Sequence, residues 1–219
     1  MQPRLSSKRN AAMTLFEVGV VVAVVMILAL VLLPVIQAPH KRASKVGCTN
    51  LLKQIGLAYK VWAGDNGDVL PMGISVANGG SMELAATGNV LATFLVMSNE
   101  LSTPKILFCP SDAGRSWATS FGTLANSNIS YFVGLGFTND ANPQIVLSGD
   151  SSFGLGGTPA KPGLAAFGTN DPVFWSPSIR HMKSGNLGLN DGSVLSTTSS
   201  SLRSYLQQTG LATNRFAIP

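Results

Sequence analysis

The feature that most constrains this chain is an uncharged apolar run over residues 18–36, with the carboxylate of Glu17 directly before it. Nineteen residues are close to the ~20 that a helix needs to cross the hydrocarbon core of a bilayer. A cleavable secretory signal has a shorter apolar core and a small-residue cleavage site, whereas Pro39, Lys41 and Arg42 follow this run. The run therefore predicts a retained membrane-spanning helix.

Composition indicates one globular body beside this helix. The 219 residues are enough for an ordinary domain with its own core, and only 11% of them are charged. The net charge of +5 includes Arg4, Lys8 and Arg9, and without these three the chain holds 12 basic and 10 acidic residues. We therefore expect no nucleic-acid partner, because such proteins carry a clustered basic face.

The two cysteines, Cys48 and Cys109, match neither a zinc quartet nor a CxxC redox motif. In an exported protein they could form one disulfide, and closing so long a loop stabilises a fold by about 4 kcal/mol in the chain-entropy model. Two buried free thiols are the alternative. We favour the disulfide, on the condition that the body is exported.

Glu17 is costly at the edge of an apolar helix unless it stays at the interface or finds a cation. Snorkelling to lipid headgroups is the simpler interpretation. The other interpretation is an ion pair with a new α-amino group, which would exist only after cleavage of the chain just upstream of Glu17. Pro34 predicts a kink near the far end of the run.

The first 36 residues resemble the processing and methylation segment of type IV prepilins and type II secretion pseudopilins. A basic leader precedes Ala12, Met13, Thr14, Leu15, Phe16 and Glu17, and the apolar helix follows. The resemblance implies cleavage by a membrane peptidase between Ala12 and Met13, and N-methylation of Met13. It places Glu17 at the family's acidic assembly position and Pro34 at its kinking proline. Ala12 stands where the family has Gly, and Met13 where it usually has Phe.

The resemblance extends to landmarks in the rest of the chain. His181, nine residues, then Asp191 and Gly192 match the C-terminal motif of bacterial pseudopilin-like proteins. Segments that look similar to those proteins cover residues 48–71, 106–114, 180–194 and 210–219. We interpret His181 as a structural residue whose ring bridges a hairpin and a neighbouring loop.

Local patterns predict an α+β fold of the pilin type, in which a long N-terminal helix, membrane-spanning in its first half, packs on a small antiparallel sheet. Apolar residues recur at helical spacing after Pro39. They are Cys48, Leu51, Leu52, Ile55, Ala58, Tyr59 and Trp62. Asp191 and Gly192 supply the tight turn of a hairpin, and residues 199–208 are predicted as a final helix. Residues 89–97 are predicted as a helix, and residues 105–108, 131–136 and 144–147 as strands.

The resemblance and the helix together predict three segments. Residues 1–12 would be a cytoplasmic leader, 13–37 a transmembrane and filament-core helix, and 38–219 an exported globular domain that includes the second half of the helix. The predicted location is the bacterial inner membrane, single-pass, with the body periplasmic or extracellular. The implied partners are other pilin-like subunits, the prepilin peptidase, an inner-membrane assembly platform and the lipid bilayer.

The expected function is that of a structural filament subunit, in a pilus or a secretion pseudopilus, and not of an enzyme. A hydrolytic triad assembled from His181, Asp150 and Asp191 with one of the many serines is disfavoured because no nucleophile-elbow motif is present. We expect no cofactor, with a calcium site at Asp140, Asp150 and Asp191 as a weaker possibility. The alternative function is an anchored exported domain whose loops bind a ligand such as a glycan.

Overall fold

The computed structural model describes residues 15–37, 39–136, 142–176, 181 and 183–219, with side chains from 15 to 30 and from 45 onward within those ranges. The helices are α1 (Leu15–Gln37), α2 (Pro39–Asp65), α3 (Met82–Ala86), α4 (Val90–Val96), α5 (Ser98–Leu101) and α6 (Ser199–Gln208). The strands are β1 (Tyr131–Gly134), β2 (Val146–Asp150), β3 (Phe153–Leu155), β4 (Thr158–Pro159), β5 (Gly163–Gly168), β6 (Val173–Trp175), β7 (Ser184–Leu189), β8 (Val194–Thr198) and β9 (Thr213–Ile218).

The chain divides into two compact units, Met1–Arg42 and Ala43–Pro219. In the second unit, the described strands form one six-stranded antiparallel sheet in the order β5-β9-β1-β2-β7-β8. A smaller sheet has the order β4-β3-β6. The last strand of the chain, β9, therefore lies inside the large sheet, between β5 and β1.

Helix α2 forms because its apolar residues fall on one stripe. From Cys48 onward the stripe is buried at Leu52, Ile55, Tyr59 and Trp62, while Leu51 is only partly buried beside it. Asn66 and Asp68 then both donate their backbone N–H groups to the carbonyl of Ala63 and close the helix end. The stripe predicted from the sequence is thus the face that joins the core.

The large sheet has a hydrophobic core on each face. Tyr131 and Val133 of β1 belong to the same core as α2, whereas Phe132, the residue between them, belongs to the core on the opposite face. Phe132 stacks on Phe216 of β9 with ring centroids 4.2 Å apart. Since successive side chains of a strand point to opposite faces, a fully buried strand such as β1 contributes to both cores.

Two predictions that depended on a membrane span are wrong. Among the residues that the structure describes, no helix is both long and apolar enough to cross a membrane. The fold class is corrected to an α+β protein with a six-stranded antiparallel sheet and no membrane-spanning first helix among the described residues. The predicted single-pass inner-membrane location is corrected with it.

Of the other elements predicted from local sequence patterns, the final helix is confirmed and the strand over 105–108 is wrong. The final helix α6 has the predicted bounds, with a cap at Thr198 whose hydroxyl accepts a bond from Ser201 N. The predicted strand over 105–108 is instead a 3₁₀ turn, Pro104–Leu107. Pro104 at its first position and the Thr103 hydroxyl, which accepts from Lys105 N, favour this turn over a strand.

Two glycines of β7 provide a test of how tightly the sheet is packed. A Cβ at Gly185 would lie 2.5 Å from the ring of Trp175, which is buried and whose Nε1 donates to Thr197 Oγ1. A Cβ at Gly188 would meet its nearest atom at 3.5 Å, an ordinary contact. We expect Gly185→Ala to lower the free energy of unfolding by about 1–3 kcal/mol.

Gly188→Ala is the matched control on the same strand and should change the free energy of unfolding by less than about 1 kcal/mol. Urea unfolding of both variants measures the difference. Equal effects of the two substitutions would contradict the crowding of Gly185 by Trp175.

Candidate functional site

The Asp-Gly end of the His-x9-Asp-Gly motif forms the turn between β7 and β8. Gly192 has a φ of +82°, a conformation that favours glycine. Its N–H donates to Leu189 O, and Ser193 N donates to Asp191 Oδ1 at 2.8 Å. Asp191 and Gly192 therefore have a local structural role, which is to close the hairpin.

This turn is held in place from two sides. Asn190 N donates to Ile145 O and Asp191 N to Pro143 O, which ties the turn to the segment that leads into β2. On the α2 side, a Cβ at Gly56 would lie 3.6 Å from Gly192 Cα. The helix and the turn thus approach each other closely where both lack side chains.

Asp191 is exposed, and its pKa is lowered. The main cause is a hydrogen bond with the Ser193 side chain, followed by the Ser193 backbone bond, with a smaller contribution from Lys60. Burial, and secondarily the charge of Asp191, raises the pKa of Tyr205 to about 12. Tyr205 OH donates to Gln144 O at 2.6 Å. The lowered pKa of Asp191 keeps its carboxylate ionised at neutral pH.

The histidine end of the motif lies in a different environment, beside a disulfide. His181 Nε2 is 3.8 Å from Cys109 Sγ and 3.7 Å from Asp150 Oδ2. Its side chain is only 3% exposed, and that of Asp150 is fully buried. The ring thus bridges the disulfide and the end of β2.

Asp150 is positioned by β7. Its Oδ2 accepts hydrogen bonds from Asn186 N at 2.8 Å and from Asn186 Nδ2 at 3.0 Å. Asn186 Oδ1 in turn accepts from Ser196 Oγ of β8. Because bonds to the charged form stabilise a buried carboxylate, this network holds Asp150 towards His181.

The disulfide joins Cys48 to Cys109, residues separated by 61 positions in the chain. Cys48 lies on the buried stripe of α2, and Cys109 begins a turn in which Asp112 N donates to Cys109 O. Cys48 and Cys109 are the pair for which the sequence favours a bond. The sulfurs and His181 Nε2 lie within 4.8 Å of one another, the one group of potential metal ligands among the described residues.

A second polar network follows the same turn and was not predicted from the sequence. The buried carboxylate of Asp112 accepts from Ser130 Oγ at 2.9 Å and lies 3.5 Å from Arg115 Nε. Arg115 Nη2 donates to Pro219 O at 3.0 Å. The closeness of Asp112 and Arg115 in sequence suggests a pair, but no sequence signal indicates contacts with residues so far along the chain.

Other predicted site residues are not brought together, or lie outside the described residues. Asp150 faces Asn186 in the middle of β7, whereas Asp191 lies in the turn beyond the end of that strand, so the two carboxylates of the weaker calcium hypothesis are apart. Asp140, the third, is not among the described residues, and neither are Ala12 and Met13. Glu17 lies in the first turn of α1, and Pro34 falls within the same helix.

The causes of the lowered Asp191 pKa predict which of two substitutions, at Ser193 or at Lys60, should raise that pKa more. A carboxyl whose folded-state pKa lies below its ordinary value of 3.8 stabilises the fold above that value, and the contribution is lost as pH falls through the folded-state pKa. In an NMR titration, Ser193→Ala should raise the Asp191 pKa more than Lys60→Gln does. The reverse order would show that the lysine charge, and not the hydrogen bond, controls this carboxylate.

Comparisons with family models, with curated proteins and with solved structures found no match for this chain. The resemblance to prepilins therefore rests on the sequence motifs.

Proposed function

We propose that this chain is a structural, non-enzymatic subunit of a prepilin-type filament, a type IV pilus or a type II secretion pseudopilus. It would be processed by a prepilin peptidase and assembled through helix α1. The observation that carries the proposal is the exposed apolar surface of α1. Leu15 is 91% exposed and Phe16 81%, and every other described side chain of the helix is also exposed.

Such a helix needs a partner. Polar residues are confined to one position of the described stretch, Glu17, so no face is suited to water. Each aliphatic side chain that leaves water stabilises an assembly by about 1.5–3 kcal/mol. The exposed set is Leu15, Phe16, Val18, Val20, Val21, Val22, Val24, Val25, Met26, Ile27, Leu28 and Leu30.

The proposed partners are the α1 helices of other pilin-like subunits. An apolar surface that surrounds a helix contacts several neighbours at once, and a bundle of identical helices supplies them. Head-to-tail contacts that do not close into a ring continue as a helical filament. The repeating contact would therefore bury the apolar surface of α1 among the same helices of neighbouring subunits.

Glu17 fits this arrangement if cleavage before Met13 creates an α-amino group in the same bundle. A buried carboxylate is strongly unfavourable alone and tolerated when paired. Pairing across subunits would also select one axial register, since displaced helices would leave both charges unpaired. This gives the single charge of α1 a specific role in assembly.

The residues of the His-x9-Asp-Gly motif support a structural role. His181 lies against sulfurs that are already bonded to each other, and Asp191 accepts a bond inside its own turn. Both are accounted for as parts of the fold that carries α1. A catalytic role is not needed to explain either residue.

The fate of residues 1–12 tests the proposal. In cells that contain a prepilin peptidase, intact-mass analysis should show loss of these residues and one methyl group on Met13. Ala12→Gly introduces the family's usual residue and should be processed at least as completely. A chain that keeps Met1 in both forms would contradict processing, and with it the filament proposal.

The charge of Glu17 predicts a second outcome. Glu17→Leu should leave the Ala43–Pro219 unit folded but reduce filaments at least 10-fold, because the new α-amino group would be buried without its partner. Val25→Leu, a similar change on the same exposed helix, is the matched control and should assemble normally. Electron microscopy and sedimentation measure the yield. Equal yields for both variants would remove the ion pair from the mechanism.

A further inference from the structure

The disulfide, His181 and Asp150 form a buried group outside helix α1, the element through which assembly is proposed. The two sulfurs, from α2 and the 109–112 turn, and His181 Nε2, from the segment before β7, lie within 4.8 Å of one another. Asp150 Oδ2, at the end of β2, lies 3.7 Å from that nitrogen. The side chains are 0–3% exposed. Sulfur, nitrogen and oxygen ligands in this combination are those that Zn²⁺ prefers in proteins.

We propose that the reduced protein binds one Zn²⁺ ion through Cys48, Cys109, His181 and Asp150, in place of the disulfide. The oxidised protein holds its cross-link as the S–S bond, and the reduced protein holds it as a metal site. The same elements of the fold would then remain joined in both redox states.

Distances at the site carry the geometric part of the proposal. With Zn–S near 2.3 Å and Zn–N or Zn–O near 2.0–2.1 Å, a tetrahedral site has S···N edges of about 3.5 Å and N···O edges of about 3.4 Å. The Cys109 Sγ to His181 Nε2 distance is 3.8 Å, and the His181 Nε2 to Asp150 Oδ2 distance is 3.7 Å. Both edges are already within a few tenths of an ångström of that geometry. Asp150 lies outside the group of ligand atoms that are all within 4.8 Å of one another, so its oxygen must move towards at least one of the sulfurs when the metal binds.

The edge between the two sulfurs is the one that differs strongly, because the atoms are bonded. Reduction breaks this bond and lets the sulfurs separate towards the ~3.8 Å of a tetrahedral S···S edge. Rotation about the side-chain bonds of the two cysteines is the movement that the proposal requires.

The chemistry balances with a dithiol as the reductant. Two electrons pass from the dithiol to the disulfide, the dithiol closes to its own disulfide, and Cys48 and Cys109 become thiols. Each thiol releases a proton to solvent when its sulfur binds the metal. His181 binds as the neutral imidazole through Nε2, and Asp150 as the carboxylate that Asn186 already orients by two hydrogen bonds.

Cobalt is the probe for the experiment, because its tetrahedral thiolate complexes absorb visible and near-ultraviolet light. The full chain is reduced with a phosphine, which ends as the phosphine oxide, and titrated with Co²⁺ without oxygen. We expect one equivalent to give thiolate-to-cobalt charge-transfer bands that Zn²⁺ removes. Oxidised protein should give none.

Variants then identify the ligands. Cys109→Ser should abolish the charge-transfer bands of a two-thiolate site, and His181→Asn and Asp150→Asn should each weaken Co²⁺ binding at least ~10-fold. Asp191→Asn, which removes a carboxylate outside the group, is the matched control and should bind as the unmodified chain does. The folding of His181→Asn and Asp150→Asn is checked by circular dichroism in the oxidised state, where the disulfide is intact.

Thermal unfolding of the reduced, unmodified chain supplies a readout that needs no variant. Zn²⁺ should raise its Tm, and a chelator should reverse the rise. The proposal is overturned if the reduced chain shows neither charge-transfer bands nor a zinc-dependent Tm. It is equally overturned if a folded His181→Asn chain binds Co²⁺ as tightly, and with the same spectrum, as the unmodified one.

Discussion

The contact between the buried stripe of α2 and the large sheet is the interaction on which the rest of the body depends. Leu52 lies 3.7 Å from the position that a Cβ of Gly188 would occupy, and a Cβ at Gly56 would lie 3.6 Å from Gly192 Cα. These are ordinary van der Waals distances, so the helix packs directly on the sheet and the apolar area between them leaves water. The disulfide at Cys48 then fixes the same helix at a second point. Loss of this contact would expose the core on that face of the sheet.

The second constraint is that both hydrophobic cores depend on strand β9. Strand β9 lies between β5 and β1, and Phe216 of β9 belongs to one core while Ala217, its neighbour, belongs to the other. The pairing of β9 with β1 joins residues about eighty positions apart. Such non-local pairing is entropically costly until it is rewarded by burial. Both cores therefore include residues of β9, whose pairing with β1 is non-local.

These constraints explain which features the sequence could predict. The stripe of α2, the bounds of α6 and the Asp191–Gly192 turn depend on neighbouring residues, so periodicity and turn chemistry identify them. The internal position of β9 and the contact of Arg115 with Pro219 depend on residues far apart, and no local pattern encodes them. The predicted membrane span is not found among the residues that the structure describes, where no helix is both long and apolar enough to cross a membrane.

The spacing of the His-x9-Asp-Gly motif acquires a physical meaning from the same contacts. The nine intervening residues contain β7, whose six residues span about 20 Å. One end of the motif places His181 beside the disulfide of Cys48, and the other places Gly192 under Gly56 of the same helix. Insertion of a single residue into β7 would move one end away from its partner and turn the following side chains to the opposite face of the sheet. The motif therefore spans a strand whose two flanking segments each reach α2, one at the disulfide and the other at Gly56, which is why its histidine and its aspartate need not touch each other.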